Sequence, residues 1–408
     1  MTDTFLLLTP TAMAAGGSAL ARDDGGRVVF VDGALPGERV RARVTDERRD
    51  FARAVAVEIV DAGADRVSPP CPALAAGCGG CTWQHVSPGA QARLKVAVVV
   101  DALRRIAKLA EPPEPVAAPV PGPVLRTTAR LAVSPEGRAG HRPRSDGTGP
   151  GLPVATDTCL VAHPLLDELI VAGRYPGAAE VLLRVGVASG ERMVRARYRP
   201  RDVVVPAGVT VVGEHDGRDA FVHEEVAGRR FRVSAGSFFQ PGPVAAEALV
   251  AAVREAVGGA LRRGGHLVDA YAGVGLFASV LGAESAATVT ALESHPPAVA
   301  DALVNLAGVD ARVVAGEVGR WRPAPGDPPV DVVVADPARP GLGRPGVAAV
   351  AASDAPRLVL VSCDPASLGR DVALLDAAGY RLTSVALVDA FPHTFHVETV
   401  CRFDRVGG

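Results

Sequence analysis

Lysine is almost missing from this chain. Only Lys95 and Lys108 occur in 408 residues, so nearly all positive charge is carried by arginine. An excess of charge is missing too: 43 Lys and Arg face 45 Asp and Glu, for a net charge of -2. With an isoelectric point of about 6.5, charge alone announces no polyanionic partner. Ala, Gly and Pro abound, so the arginine preference reads as genomic base composition and is discounted as a sign of phosphate recognition. No apolar run reaches the ~18 residues of a membrane span. The one leader-like stretch, Phe5-Leu6-Leu7-Leu8, follows Asp3, stops at Pro10 and has no basic flank, so a signal peptide is not expected. These absences point to a cytoplasmic protein without a membrane partner. Internal repeats and low-complexity tails are also lacking.

What is present is a 48% hydrophobic composition, enough for real cores, in a chain long enough for two or three domains. Residues 4 to 62 read as five short strands, near Thr4–Leu8, Ala19–Ala21, Arg27–Val31, Arg39–Val44 and Ala52–Ile59. The turns between them are Gly16-Gly17, Asp24-Gly25-Gly26, Asp32-Gly33 and Pro36-Gly37. That density suggests a small β-barrel of the OB type, either an RNA-binding module or a barrel that merely packs on its neighbour. Next come Cys71, Cys78 and Cys81. A Cys-x2-Cys pair with a third Cys just upstream, in a chain without an export signal, indicates metal or redox chemistry rather than disulfides. Cys159 is the nearest candidate for a fourth thiolate. Four Cys suit a [4Fe–4S] cluster or zinc, and spacing does not choose between them.

From Ser87 to Leu109 the pattern is helical, with Gln91, Leu94 and Val98 on one face and Leu103 with Ile106 on another. Pro112, Pro113 and Pro115 end it. Residues 120 to 232 look α+β. Basic residues recur there at Arg126, Arg130, Arg138, His141, Arg142 and Arg144, then at Arg192, Arg195, Arg197, Arg199 and Arg201. They fit a phosphate groove or a solvated face about equally well.

The last third is α/β. The strand His266–Ala270 runs into Tyr271-Ala272-Gly273-Val274-Gly275-Leu276 and then an apolar helix, the arrangement of a nucleotide-type loop. Strand Val289–Leu292 ends at Glu293, where an acidic side chain meets ribose hydroxyls. The spelling is not Gly-x-Gly-x-x-Gly, which favours an adenosine ligand other than NAD. Further strands end at Val314, Asp336 and Ser362. Cys363 therefore stands just beyond a buried strand, on the side of the sheet where ligands bind, and Asp364-Pro365 breaks the ladder after it. The final pair, Leu382–Leu387 and His396–Arg402, leaves no room for a crossover helix, so the last strand should be antiparallel.

These motifs coincide. Asp269-Ala270-Tyr271-Ala272-Gly273-Val274-Gly275, Asp336-Pro337-Ala338-Arg339, Ser362-Cys363-Asp364-Pro365, Phe391-Pro392-His393-Thr394 and His396-Val397-Glu398-Thr399-Val400 resemble the RNA uracil-5-methyltransferases. Members use S-adenosylmethionine to make 5-methyluridine in ribosomal or transfer RNA. The resemblance extends to the amino-terminal barrel, similar to their TRAM domain through Gly33-Ala34-Leu35-Pro36-Gly37-Glu38, and to the Cys cluster, which in many members binds [4Fe–4S]. It implies a TRAM/OB-like barrel over 1–62, a central α+β domain over 63–230 with the cluster and an RNA-contacting surface, and a Rossmann-like class I methyltransferase domain over 231–408. It also implies Cys363 as nucleophile and Glu398 as base. Gln240, Tyr271, Gly273, Glu293 and Asp336 would hold the cofactor, and Cys71, Cys78, Cys81 and Cys159 the cluster, in a monomer. Three departures stand out: Ala338 where the family usually has Pro, Gly242 where it usually has Asn, and six residues between Cys71 and Cys78, one more than the commonest spacing.

The chemistry needs this pair. C5 of uracil is too electron-poor to attack a methyl sulfonium; a thiolate adding at C6 makes it nucleophilic, and a base must then remove the C5 proton. Strand parity sets Glu398 and Cys401 on opposite faces, leaving Cys401 in the core. An RNA cytosine-5 methyltransferase would share the covalent logic but would carry a second Cys after Pro337. A non-catalytic RNA-binding Fe–S protein would not need Cys363 and Glu398 intact.

Overall fold

The structure, a computed structural model, describes residues 4–144, 151–197, 202–213 and 220–407. The amino-terminal strands Phe5–Leu8, Ala12–Met13, Ala19–Arg22, Val28–Asp32, Arg39–Glu47 and Phe51–Asp61 form one curled sheet. Alternation builds it: Val40 and Ala42 point into the core, while Arg41 and Arg43 point out. There are six strands rather than five. The extra one, Ala12–Met13, is two residues long and too short to show a period. Glu38 is fully buried at the barrel's edge, where it accepts the Leu35 N–H at 2.8 Å and pairs with Arg66.

Helix α1 (Pro88–Arg105) follows the Cys segment. It stops short of Leu109 because Lys108 takes a left-handed conformation, φ 60°. Its Ala90 and Val98 join the barrel core, while Val99 and Leu103 join a core of the carboxy-terminal domain. The helix is thus a wedge between the two.

The middle of the chain is α+β, as expected. One sheet runs in the order Val154–Ala155, Ala139–His141, Thr128–Val133, Glu180–Val185, Arg192–Ala196, Val209–Gly213, and helix Pro164–Ala172 contributes Leu166, Leu169 and Ile170 to its core. The hairpin Phe221–Val226 and Arg229–Ser234 leads on to Gln240.

The carboxy-terminal sheet contains β1 (His266–Ala270), β2 (Thr288–Glu293), β3 (Ala311–Ala315), β4 (Val332–Ala335), β5 (Arg357–Ser362), β6 (Tyr380–Val388) and β7 (Glu398–Arg405). Their order is β3-β2-β1-β4-β5-β7-β6, with the short strand Val116–Ala117 beyond β6. β7 is antiparallel to both neighbours, as the short β6–β7 connection requires. The last strand starts at Glu398 rather than His396, because residues 389–397 leave the sheet through His393 at φ 63°. Cys401 is fully buried in the core on the face opposite Glu398. Among the described residues, no helix is long and apolar enough to cross a membrane.

Candidate active site

Strand order in this sheet reverses beside β1, and ligands bind at the carboxyl ends of the strands around such a point. β1 ends in a tight loop with Tyr271, Gly273 and Gly275 all at positive φ (63°, 56° and 87°). No atom lies within 4 Å of where a Gly273 Cβ would stand, so this backbone is open to a ligand. The Gly273 N–H donates to the Glu293 carboxylate at 2.8 Å, joining the ends of β1 and β2. Beneath the loop lies Asp269, fully buried. One of its oxygens accepts the Ala278 N–H at 2.7 Å; the other, Oδ1, has no hydrogen-bond partner among the described residues. Burial, with Asp336 and Glu293 nearby, pushes its pKa up to about 8. An orphaned buried oxygen under an open glycine loop, beside an acidic strand end, is a donor set that fits the adenosine and amino groups of S-adenosylmethionine. Sequence reasoning placed Asp269 in the motif but gave it no role. Its signal was an acidic residue one position before the end of a strand otherwise apolar after His266.

Cys363 follows β5 directly, and Asp364 caps the next helix by accepting the Ser367 N–H at 2.7 Å. The β5–β7 register pairs Ser362 with Thr399, and Thr399 Oγ1 donates to the Ser362 carbonyl at 2.9 Å. Cys363 and Glu398 are the next residues beyond that last pair; Glu398 is 5% exposed, and its charge acts on the Cys363 thiol. Asp336, just past β4, accepts a bond from Gln240 Nε2 at 3.3 Å. Burial, then the Asp336 charge, raises the Glu398 carboxyl well above the usual range; burial carries Asp336 to about 7. The Cys363 thiol is pushed up to about 11 by burial, then by Glu398 and Asp336, against the pull of Arg339. Arg339 Nη2 lies 3.5 Å from His396 Nδ1, and burial with Arg339 lowers His396 to about 4, keeping it neutral. The structure thus brings together Cys363, Glu398, Asp336 and Gln240, while Tyr271, Gly273 and Glu293 form the adjoining loop cluster.

Gly242 has a physical reason. A Cβ there would stand 2.3 Å from the Leu125 carbonyl oxygen, so no larger residue fits. Ala338 is exposed. Phe238, missed in the sequence, is 69% exposed two residues before Gln240, whereas Phe239 is buried in the core.

Cys71, Cys78, Cys81 and Cys159 line a single pocket with Gln84 and His141. A Cβ on Gly79 or Gly80 would lie 2.5 Å from the Arg142 carbonyl oxygen or 2.6 Å from the His141 ring, so close packing demands both glycines. Among the described residues no three His, Cys, Asp or Glu side chains converge as one metal ion requires. Four thiols lining one pocket have the donor chemistry of either an iron–sulfur cluster or zinc.

A cleft of about 560 Å³ opens between the barrel, the central sheet and Phe395. Arg130, Arg142 and Arg144 of the basic run line it together with Asp32 and Glu180, and Arg130 pairs with Glu180 at 2.9 Å. Arg138 instead pairs with Asp157, and Arg192 with Glu168. Arg199 and Arg201 lie outside the described residues. The Phe395 ring packs on His396 with centroids 4.3 Å apart, which links the cleft to Arg339.

Comparison with known proteins agrees with this fold. The TRAM domain family matches residues 10–57, and the tRNA (Uracil-5-)-methyltransferase family matches residues 327–406. An uncharacterized RNA methyltransferase of Streptomyces coelicolor is 40% identical over 421 residues, spanning 95% of this chain and 90% of its own. Another, from Corynebacterium efficiens, is 33% identical over 405 residues, spanning 97% and 93%. The fold matches the crystal structure of Pyrococcus abyssi tRNA (uracil-54, C5)-methyltransferase in complex with S-adenosyl-L-homocysteine, with a TM-score of 0.71 at 23% identity over 97% of this chain and 99% of that one. With its TRAM barrel and class I fold, the chain belongs to the S-adenosylmethionine-dependent RNA uracil-5-methyltransferases.

Proposed function

We propose that this enzyme methylates C5 of a uridine in ribosomal or transfer RNA through a covalent bond between Cys363 and C6. The observation that supports the reading is that the last β5–β7 pair, Ser362 and Thr399, is flanked by Cys363 and the buried Glu398, whose charge acts on the thiol. The sulfur bonds C6, and the C5–C6 electron pair moves into the ring as an enolate. S-adenosylmethionine supplies the electrophilic methyl group that C5 takes up. Glu398, as the carboxylate, then takes the C5 proton onto its oxygen. The electrons of that C–H bond restore the double bond as the C6–S bond breaks. Arg339 is the cation that favours the thiolate. Gln240, Tyr271, Gly273, Glu293 and Asp336 hold the cofactor, Glu293 through its ribose and Gly273 through close backbone approach.

The target base must leave its stack to reach Cys363, so single-stranded loops suit the site. Exposed Phe238 offers a face on which the extruded ring stacks, and the arginine-lined cleft offers a path for the strand. The parts divide as a barrel over 1–62, a central domain over 63–230 and the transferase domain over 231–408. The direct test is to map 5-methyluridine in RNA from a deletion strain. One site should disappear and return with the wild-type gene; an unchanged map would refute the assignment.

Cys71, Cys78, Cys81 and Cys159 hold a [4Fe–4S] cluster in this reading. Burial pushes the thiols of Cys78, Cys81 and Cys159 up, so bound iron would be what keeps them as thiolates. Anaerobically prepared protein should show a broad absorption band near roughly 400 nm that Cys81→Ser abolishes. A colourless preparation with stoichiometric zinc would overturn this choice.

A further inference from the structure

Lys95 is fully buried, where its amine pairs with the Asp389 carboxylate. It sits in the middle of α1, the wedge between the barrel and the transferase domain. Its ammonium donates to Asp389 Oδ1 at 2.7 Å and to the Phe391 carbonyl at 3.0 Å. Gln91, one turn earlier on the same face, accepts the His393 N–H at 2.7 Å and donates to the Val86 carbonyl at 3.0 Å. From the other side, the N–H groups of Thr82 and Trp83 donate to the His393 carbonyl at 3.0 and 2.8 Å. All but the Gln91–Val86 bond grip residues 389–393, in the loop that ends at Glu398. His393 is held at φ 63°, a conformation that needs such external support.

A methionine at position 95 would bury a similar stem without desolvating a charge, but it would leave Asp389 and the Phe391 carbonyl without their donor. What the ammonium adds is direction: it sets where Asp389 and the Phe391 carbonyl lie, and hence how the chain enters β7. We infer that Lys95, with Gln91, is a positioning residue for the active site, fastening the 389–397 loop so that Glu398 meets the C5 proton. This rests on the reading of Glu398 as the base.

The test uses the full-length protein with substrate RNA. If the base is misplaced, adduct still forms and takes its methyl group, but it releases slowly. Lys95→Met should retain cofactor binding, lose about 10²-fold in kcat with KM for RNA little changed, and accumulate an SDS-resistant, methyl-labelled protein–RNA adduct. Should Lys95→Met not fold, Asp389→Ala carries the same expectation, because Asp389 is 29% exposed and more readily replaced. Asp389→Asn, which keeps an oxygen for the ammonium, should turn over faster than Asp389→Ala. Arg105→Ala, in an exposed pair with Asp101 at the end of the same helix, should behave as wild type. Wild-type turnover in both Lys95→Met and Asp389→Ala, or lost turnover without adduct, would overturn the inference. Glu398→Gln separates the two readings. If it traps adduct while the Lys95 and Asp389 variants do not, positioning fails alone; if it traps none, the base assignment fails and takes this inference with it.

Discussion

Cys363→Ala is expected to abolish methylation, with a loss of at least about 10⁴-fold in turnover, because no other group in the site can make the bond to C6. Cofactor binding should survive, since the glycine loop and Glu293 are built by β1 and β2 and do not involve Cys363. RNA containing 5-fluorouridine should form a stable adduct with the wild-type enzyme, because fluorine cannot leave C5 as a proton does. The variant should form none. The pH dependence follows from the thiol's surroundings. Burial, Glu398 and Asp336 carry Cys363 up to about 11, so near neutrality only a small fraction is thiolate. Below that value each pH unit raises the thiolate fraction about tenfold, so kcat/KM should climb with pH between roughly 7 and 9. A flat profile together with normal methylation by Cys363→Ala would end the covalent account.

Glu398→Gln should instead stop the reaction late. Glutamine keeps the shape but cannot take a proton, so turnover should fall by about 10²- to 10⁴-fold. Its first steps should not suffer. Glu398 is one of the charges that raise the Cys363 thiol, and removing it shifts the thiol back toward its ordinary value. Sulfur addition and methyl transfer therefore proceed, and a methylated protein–RNA adduct should accumulate on denaturing gels with ordinary RNA. Full turnover without adduct would assign proton removal to another group, with Asp336 the nearest carboxylate by charge.

Much of this was legible in the residues. Period and turn chemistry located the barrel strands, the glycine loop and the buried strand before Cys363, because each is set by neighbours a few positions away. The antiparallel last strand followed from connection length alone. The sixth barrel strand escaped because two residues carry no period. The start of β7 was read two residues early because the left-handed turn at His393 is imposed by Gln91, Thr82 and Trp83, about three hundred positions upstream. Phe238 was passed over because nothing local says which of two adjacent phenylalanines faces out.

The sequence by itself determined the chemical repertoire: a thiol past a strand end, a carboxylate near the start of the last strand, a glycine loop and four cysteines. All are local in spelling, and local spelling is where side-chain chemistry resides. Only the tertiary structure decided their company. Pairing of β5 with β7 brings Glu398 and Cys363 to the same end of the sheet, and burial raises the pKa of both and of Asp336. Packing brings Cys159 to the pocket of Cys71, Cys78 and Cys81, and α1 carries Lys95 to the loop before Glu398. The reason is physical: pKa values, pockets and loop positions depend on distances between groups far apart in the chain, and those distances exist only once the sheets and helices have packed.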